Sequence, residues 1–554
     1  MTGNARAVLE QALVRAVREL GVEGDLPDLE LGRAKNPAHG DYASSAGMKL
    51  ARTLGKAPPA IAAELVDRLQ IPDGMAIAEP AGGYVNFRLT PQWLQRLVGE
   101  IATSPEPFGR STGGGGRRVN VEFASVNPTG PLHIGHGRGV ILGDSLCRVL
   151  EFTGWQVTRE YYVNDQNTQA RKFGASIYAR LHGQDPPEGG YSAPYIAELA
   201  GEARQELPGI EGLTEADAEP KLRHFAIGRM VAQLSASVGR LGVRYDEWYR
   251  ESSLWEQGLP QLAIERLRDS GQLVEKEGAV WFRPEVPGWE QEDEDRVVIR
   301  SNGEPTYFAS DLGYLISKFE RREFSRAIEV WGADHHGYVP RMKAATAALG
   351  YDPNQLLVIL NQMVILREGA GAELIKMSKR SGRFVTLDEL VDMVGVDAVR
   401  YFYLLRSADA MMEFDLDLAV SQSNENPVYY AQYAHARLAN LESFAGEREL
   451  PKDADLSLLE EEWELDLIRQ IAYWPELVEM AAQLMEPHRI PYYIHDLADR
   501  VHGFYQAGNR EGRFRVVVAD DPARTRARLE LCRAARKVLA VALDLMGVSA
   551  PERM

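Results

Sequence analysis

Asn127-Pro128-Thr129-Gly130-Pro131-Leu132-His133-Ile134-Gly135-His136 decides how the rest of the chain is read. Before it, Arg118-Val119-Asn120-Val121-Glu122-Phe123 alternates and is rich in β-formers, which predicts a strand. After it, Val140, Ile141, Leu142, Leu146, Val149 and Leu150 recur at helical spacing between Arg138 and Phe152. The ten residues therefore cross from a strand into a helix, with His133 and His136 at the helix N-terminus. Free backbone N–H groups and the positive end of the helix dipole make such a place an anion site. Two imidazoles there can donate to phosphate oxygens, and Gly135 between them lets a flat base approach the backbone. The plain alternative is that both histidines are ordinary polar turn residues.

Size and composition bound the rest. The 554 residues allow two to four domains with buried cores. Hydrophobic content of 45% and charged content of 26% fit a soluble globular protein. No apolar run approaches a membrane span, and the start reads as a mixed helix rather than a signal peptide. Cys147 and Cys532 lie far apart on predicted helices, so neither a zinc cage nor a disulfide is expected, and the cytoplasm is. A net charge of −18 argues against a generally basic nucleic-acid binder. The segment from Arg510 to Lys537, with nine basic against four acidic residues, supplies a local basic surface instead. A solvated helix face is the alternative there.

The chain divides into three. Residues 1–110 read as a small α/β domain with helical patterns and a strand over Gly83–Leu89. Tyr84 and Asn86 alternate onto one face of that strand, where a ring and an amide can hold an unstacked base. A half-buried sheet position would explain Tyr84 as well. Gly113 to Gly116 is a joint.

Residues 117–395 read as an α/β nucleotide fold with a helical, polar insertion over about 168–295. The acidic run Glu290–Asp295 lacks the Gly turn of a calcium loop and reads as solvated. The β-prone run 296–300 resumes the fold. Tyr307 and Asp311, four apart at the start of a helix, share a face. Ala327–Trp331 reads as a buried strand, followed at its C-terminal end by Gly332-Ala333-Asp334-His335-His336-Gly337. Ligands bind at that end of an open α/β sheet. Gly332, Asp334 and His336 are therefore nucleotide-facing candidates, with Asp334 placed to accept from ribose hydroxyls. Adjacent histidines without further ligands make a poor metal site, and no protein-held metal is expected. Residues 396–554 read as helical. Tyr430, Tyr433 and Arg437 fall on one helix face as a core stripe or as a platform for stacked bases and a phosphate.

Lys376-Met377-Ser378-Lys379-Arg380 alone reads as a charged surface loop. Paired with the His-Ile-Gly-His stretch, it resembles the second signature motif of class I aminoacyl-tRNA synthetases. From Val121-Glu122-Phe123-Ala124-Ser125 through Tyr307 and Asp311, Ala333–Arg341, the Asn426–Arg437 helix and the final Ala550-Pro551-Glu552-Arg553-Met554, the chain resembles the bacterial arginyl-tRNA synthetases end to end. The Asp-Ala-Leu-Arg motif of that family is here Asp397-Ala398-Val399-Arg400, and Lys376 and Lys379 are intact where many members have a degenerate loop.

The resemblance implies a Rossmann-type parallel-sheet catalytic domain with helical insertions. It adds a small N-terminal α/β domain gripping the tRNA D-loop through Tyr84 and Asn86, and an all-α C-terminal anticodon-binding domain using Tyr430, Tyr433 and Arg437. It implies a cytoplasmic monomer that charges tRNA(Arg) with L-arginine at the expense of ATP, magnesium riding on the phosphates, and tRNA bound before arginine is activated. His133, His136, Lys376 and Lys379 would be catalytic, acting from two sides of the triphosphate, with Gly135 against ATP. A carboxylate can take a guanidinium in two parallel bonds. Asp311 is placed in that role with Tyr307 beside it; Glu122 takes a second positive group of the substrate, and Asn127 and His133 the amino-acid end. A nucleotidyltransferase without tRNA would leave both flanking domains unexplained, and a silent RNA-binding relative would not need both motifs. Gly135-x-Gly137-x-Gly139 lacks the glycine pattern of a dinucleotide site.

Overall fold

The computed structural model describes residues 4–284, 297–367, 385–445 and 449–554. Lys376, Lys379 and the acidic run Glu290–Asp295 lie outside the described residues. The chain forms two compact units, Thr112–Ser421 and a second made from both ends, Met1–Ser111 with Gln422–Met554.

The first unit is built on five strands: β1 Arg118–Phe123, β2 Gln156–Val163, β3 Glu247–Arg250, β4 Arg326–Gly332 and β5 Leu356–Asn361. All are parallel, in the order β5-β4-β1-β2-β3. The chain moves outward from β1 to β3, then returns to lay β4 on the other side of β1. The crevice at the C-terminal ends of β1 and β4 is thus the topological switch point. Val119, Asn120, Val121 and Phe123 are all fully buried, because a parallel sheet is covered on both faces. Helix α1, Ile134–Phe152, buries nearly its whole length against β1. The approach depends on Gly143, where an added Cβ would stand 2.1 Å from Phe123 Cγ.

Helices Thr168–Leu181, Pro194–Glu206 and Glu215–Arg240 separate β2 from β3. The run at 296–300, read from sequence as the return to the nucleotide sheet, pairs elsewhere. Val297–Ile299 lies antiparallel to Ala279–Phe282 in a small separate sheet. β-propensity marks a strand but does not choose its partner. A further strand, Met412–Asp415, interrupts the helical pattern after Val396 and lies parallel to Val364–Arg367. Arg400 is fully buried; it donates to Asp144 of α1 at 2.5 Å and to the Leu241 carbonyl at 2.8 Å.

The second unit joins a four-stranded antiparallel sheet to the long helices Pro427–Ala445, Glu462–Leu484, Arg489–Arg510 and Pro522–Met546. Its two sequence halves interlock. Lys537 donates to the carbonyls of Ile101, Ala102 and Ser104, closing the C-terminus of helix Pro91–Thr103. Trp474 Nε1 donates to the Phe108 carbonyl at 2.9 Å, and Gln95 to that of Leu459 at 3.1 Å.

The basic run 510–537 is largely consumed inside this unit rather than spread as an open basic surface. Arg528 is fully buried on Glu464 and on the carbonyls of Arg513 and Arg515. Arg533 and Arg536 pair with Glu442, and Arg526 pairs with Glu530. Long side chains next to an amphipathic face are drawn into packing, which a charge count does not register. Among the described residues, no helix is long and apolar enough to cross a membrane.

Candidate active site

β1 ends in a forced turn. Ala124 has φ +55°, the left-handed region that side-chain-bearing residues rarely adopt. The chain then leads through Asn127 to His133, which caps α1. The His136 amide donates to His133 Nδ1 and the His133 amide to His136 Nδ1, both at 3.3 Å, and the rings stack with centroids 3.3 Å apart. Because each Nδ1 accepts, the proton of each neutral ring sits on Nε2. Gly135 serves this stack directly, since a Cβ there would press on the His133 ring at 3.1 Å. Just past the second motif, the Val385 carbonyl accepts from the Ile134 amide at 3.3 Å and Leu387 donates to the Leu132 carbonyl at 2.9 Å.

On the other side of the crevice lies α2, Tyr307–Ile316, continuing as a π turn through Ser317–Arg321. Its sheet-facing side descends in steps: Tyr307 63% exposed, Asp311 half-buried, Tyr314 and Lys318 buried. Below it runs a row of acids in register across adjacent strands, Glu329 on β4, Glu122 on β1 and Glu160 on β2. Lys318 Nζ sits between Glu122 at 2.8 Å and Glu329 at 2.5 Å, 4.0 Å from the Tyr314 ring centroid. Burial works against its charge, but Glu122, Glu329 and Glu160 hold the ammonium above its ordinary pKa. Arg322 and the Tyr314 hydroxyl take Glu160.

Among the described residues, Asp311 has no such cation. Its Oδ2 accepts from the Tyr338 hydroxyl. Burial, opposed by that hydrogen bond and reinforced by Glu251, Glu329 and Glu122, pushes its pKa up to about 8. Glu251, buried and receiving the Ser310 hydroxyl at 2.7 Å, is also pushed up, chiefly by burial. The mouth of the acid row thus carries a carboxyl whose protonated form is favoured by burial and by the neighbouring acids.

The remaining candidates surround the same crevice. Asn127 donates to Gln169 Oε1 at 2.7 Å and accepts from Asn167 at 3.0 Å, which fixes its amide. Gly332 ends β4, and a Cβ there would meet the Asp334 carboxylate at 2.5 Å. Asp334 and His336 are exposed at that strand end.

In the other unit, Tyr84 is 45% exposed and Asn86 half-buried on one face of strand Tyr84–Leu89, while Val85 and Phe87 fill the opposite face. Tyr430, Tyr433 and Arg437 are half-buried in a cluster between helices Pro427–Ala445 and Arg489–Arg510. The Arg437 guanidinium lies 4.5 Å from the Tyr433 ring and 4.2 Å from the Tyr505 ring, and donates to His502 Nδ1 at 2.8 Å. Tyr430 packs on His502 and donates to Asp499 at 3.1 Å.

A parallel sheet with stacked histidines at the switch point and an acid row beside them matches known proteins along its whole length. Family models for the arginyl tRNA synthetase N-terminal domain, the class I (R) tRNA synthetase catalytic domain and the DALR anticodon binding domain match residues 6–89, 109–188 with 195–441, and 431–554. An arginine–tRNA ligase of Desulforudis audaxviator is 44% identical, with 99% of each chain covered. That of Moorella thermoacetica is 43% identical over 98% of this chain and 97% of its own. The chain belongs to the arginyl-tRNA synthetases. The fold agrees: the structure of Thermus thermophilus arginyl-tRNA synthetase superposes with a TM-score of 0.77 at 28% identity, covering 99% of this chain and 100% of that one.

For an arginyl-tRNA synthetase, the residues that motif reading passed over are those behind the motifs. Glu329 had a usable signal, an acid inside the apolar run Ala327–Trp331. Lys318 had one too, since it lies seven residues after Asp311 and so on the same helix face. Tyr338 and Glu251 reach the site only through tertiary packing. So does Arg138, which is buried and donates to the carbonyls of Gln362, Ser407 and Ala410, pinning the first turns of α1.

Proposed function

We propose that this chain condenses L-arginine with ATP and passes the arginyl group to the terminal ribose hydroxyl of tRNA(Arg), with the guanidinium held at Asp311. The observation that carries this reading is the Asp311 carboxyl, which has no ion pair among the described residues, at the mouth of a buried acid row in the same unit as an imidazole pair on a helix N-terminus. In the first step an arginine carboxylate oxygen attacks the α-phosphorus of ATP. The bond to the bridging oxygen breaks and pyrophosphate leaves with the electron pair. Charge builds on phosphate oxygens, so positioned donors lower the barrier. The Nε2–H groups of His133 and His136 supply them from one side and Lys376 with Lys379 from the other. Magnesium enters as part of the ATP substrate. Gly135, Gly332, Asp334 and His336 border the nucleoside.

In the second step the tRNA ribose hydroxyl attacks the arginyl carbonyl and AMP leaves. Asn127 and His133 orient the amino-acid end, and Glu122 adds its carboxylate beneath Asp311. Tyr307 closes over the guanidinium from the exposed end of α2. Residues 1–110, through Tyr84 and Asn86, take the D-loop of the tRNA. The helical segment 422–554, through Tyr430, Tyr433 and Arg437, takes the anticodon side; residues 396–421 pack in the sheet-bearing unit instead. Charging of radiolabelled arginine onto total tRNA, with lysine as control, tests the whole; a chain that charges lysine or nothing removes it. Pyrophosphate exchange with Asp311→Ala tests the site. Wild-type activity with an unchanged apparent arginine affinity takes Asp311 out of the role.

A further inference from the structure

The acid row carries more carboxylates than one guanidinium requires. Along the sheet-facing side of α2, Tyr307 is open, Asp311 half-buried and Lys318 wholly enclosed. Seven helical residues separate the last two, a descent of about 10 Å. Glu122 holds Lys318 through Oε2 at 2.8 Å, and its negative charge also helps to raise the pKa of Asp311. Lys318 itself is fixed from three sides, by Glu122, by Glu329 and by the face of Tyr314. The π turn that carries it widens the helix at that level, a local irregularity frequent at functional sites.

We infer that Lys318 is a specificity-determining positioning residue, an internal cation that forms the floor of the guanidinium pocket and sets how far the substrate side chain descends. The inference rests on the reading that arginine binds at Asp311. Its reasoning is electrostatic and steric together. Glu122 and Glu329 form a buried pair of acids that demands one cation. With Lys318 already there, an incoming guanidinium is turned back by like charge and stops at Asp311, short of the Lys318 site. The floor then fixes the chain length that brings the substrate carboxylate to the α-phosphorus. A side chain one methylene longer leaves its carboxylate too high, and a small misplacement of a reacting group costs rate steeply. Lys318 touches neither reacting atom; it acts through Glu122.

The test uses the full chain with tRNA and compares L-arginine with L-homoarginine, which has one more methylene before the guanidinium. Steady-state charging is measured for the wild type, Lys318→Ala and Asp311→Asn. In Lys318→Ala the floor is removed and two acids are left to attract the substrate cation. We expect kcat for arginine to fall without a rise in its KM. The ratio of kcat/KM for homoarginine over arginine should rise about tenfold or more, the scale of one methylene in a shaped pocket. A structural role alone would lower both substrates in proportion and leave the ratio unchanged, and that result overturns the inference. Where Lys318→Ala does not fold, Lys318→Ala combined with Glu329→Gln removes the cation and one acid together and is read in the same way. Asp311→Asn separates the two levels. An unchanged arginine KM in that variant refutes the binding site itself. A raised KM there with an unchanged ratio in the lysine variants refutes only the floor.

Discussion

Arginine binding should expel a proton. In the arginine-free fold the Asp311 carboxyl has a pKa pushed up to about 8, by burial first and then by Glu251, Glu329 and Glu122. A guanidinium in two-point contact favours the ionised form and lowers that value by several units. At pH 7 the free site is about 90% protonated, so binding should release about 0.9 proton per arginine. The apparent Kd should then be about tenfold weaker at pH 7, and about a hundredfold weaker at pH 6, than its limit well above pH 8. Isothermal titration of arginine between pH 6 and 8.5, in two buffers of different ionisation heat, measures both quantities. The slope of log Kd against pH should be near −1 below pH 8, and the observed heat should change with buffer. Asp311→Asn should abolish slope and buffer dependence together, at the cost of weaker binding. A wild-type Kd that stays flat between pH 6 and 8, with heats identical in both buffers, would refute the reasoning.

Three further outcomes follow from other parts of the structure. Gly143→Ala drives a Cβ into the Phe123 ring; calorimetry should show a loss of about 3 kcal/mol from overpacking. Arg400→Met leaves the buried Asp144 with Arg148 at 2.9 Å and Arg159 at 3.7 Å, both only partly buried. Urea unfolding should register a loss of about 2 kcal/mol, because a buried hydrogen bond between charged groups is lost while two arginines still neutralise the acid. Tyr84→Ala removes an exposed ring; if that ring stacks on a base, the KM for tRNA in charging should rise about tenfold while the KM for ATP stays put, since one stack is worth about 1–3 kcal/mol.

Much of the catalytic unit was legible because its chemistry is local. The strand, the helix and the histidine spacing within 118–152 are contiguous, and periodicity alone places His133 and His136 at a helix start. Asp311 and Tyr307 share a helix, so their common face could also be read. The acid row could not be read in the same way. Glu122, Glu160 and Glu329 become neighbours only through the parallel register of three strands far apart in sequence. The 510–537 segment shows the opposite failure. Its arginines were countable, but whether each faces water or a buried acid such as Glu464 depends on helices elsewhere in the chain. Gly135 was noticed for one reason and is required for another: it makes room for the His133 ring in the capping pair.

The unit assembled from both ends of the chain has a consequence during synthesis. Residues up to Ser111 leave the ribosome first, yet the carbonyls of Ile101 and Ala102 await Lys537 and the Phe108 carbonyl awaits Trp474. Roughly 300 residues of the intervening unit are translated between them, a delay of about 15–60 s at ordinary elongation rates. Through that interval the helix Pro91–Thr103 carries an apolar face with its partners not yet made. The nascent N-terminal segment therefore keeps that face uncovered until the last helices are made, and slowing the ribosome late in the message would lengthen its exposure.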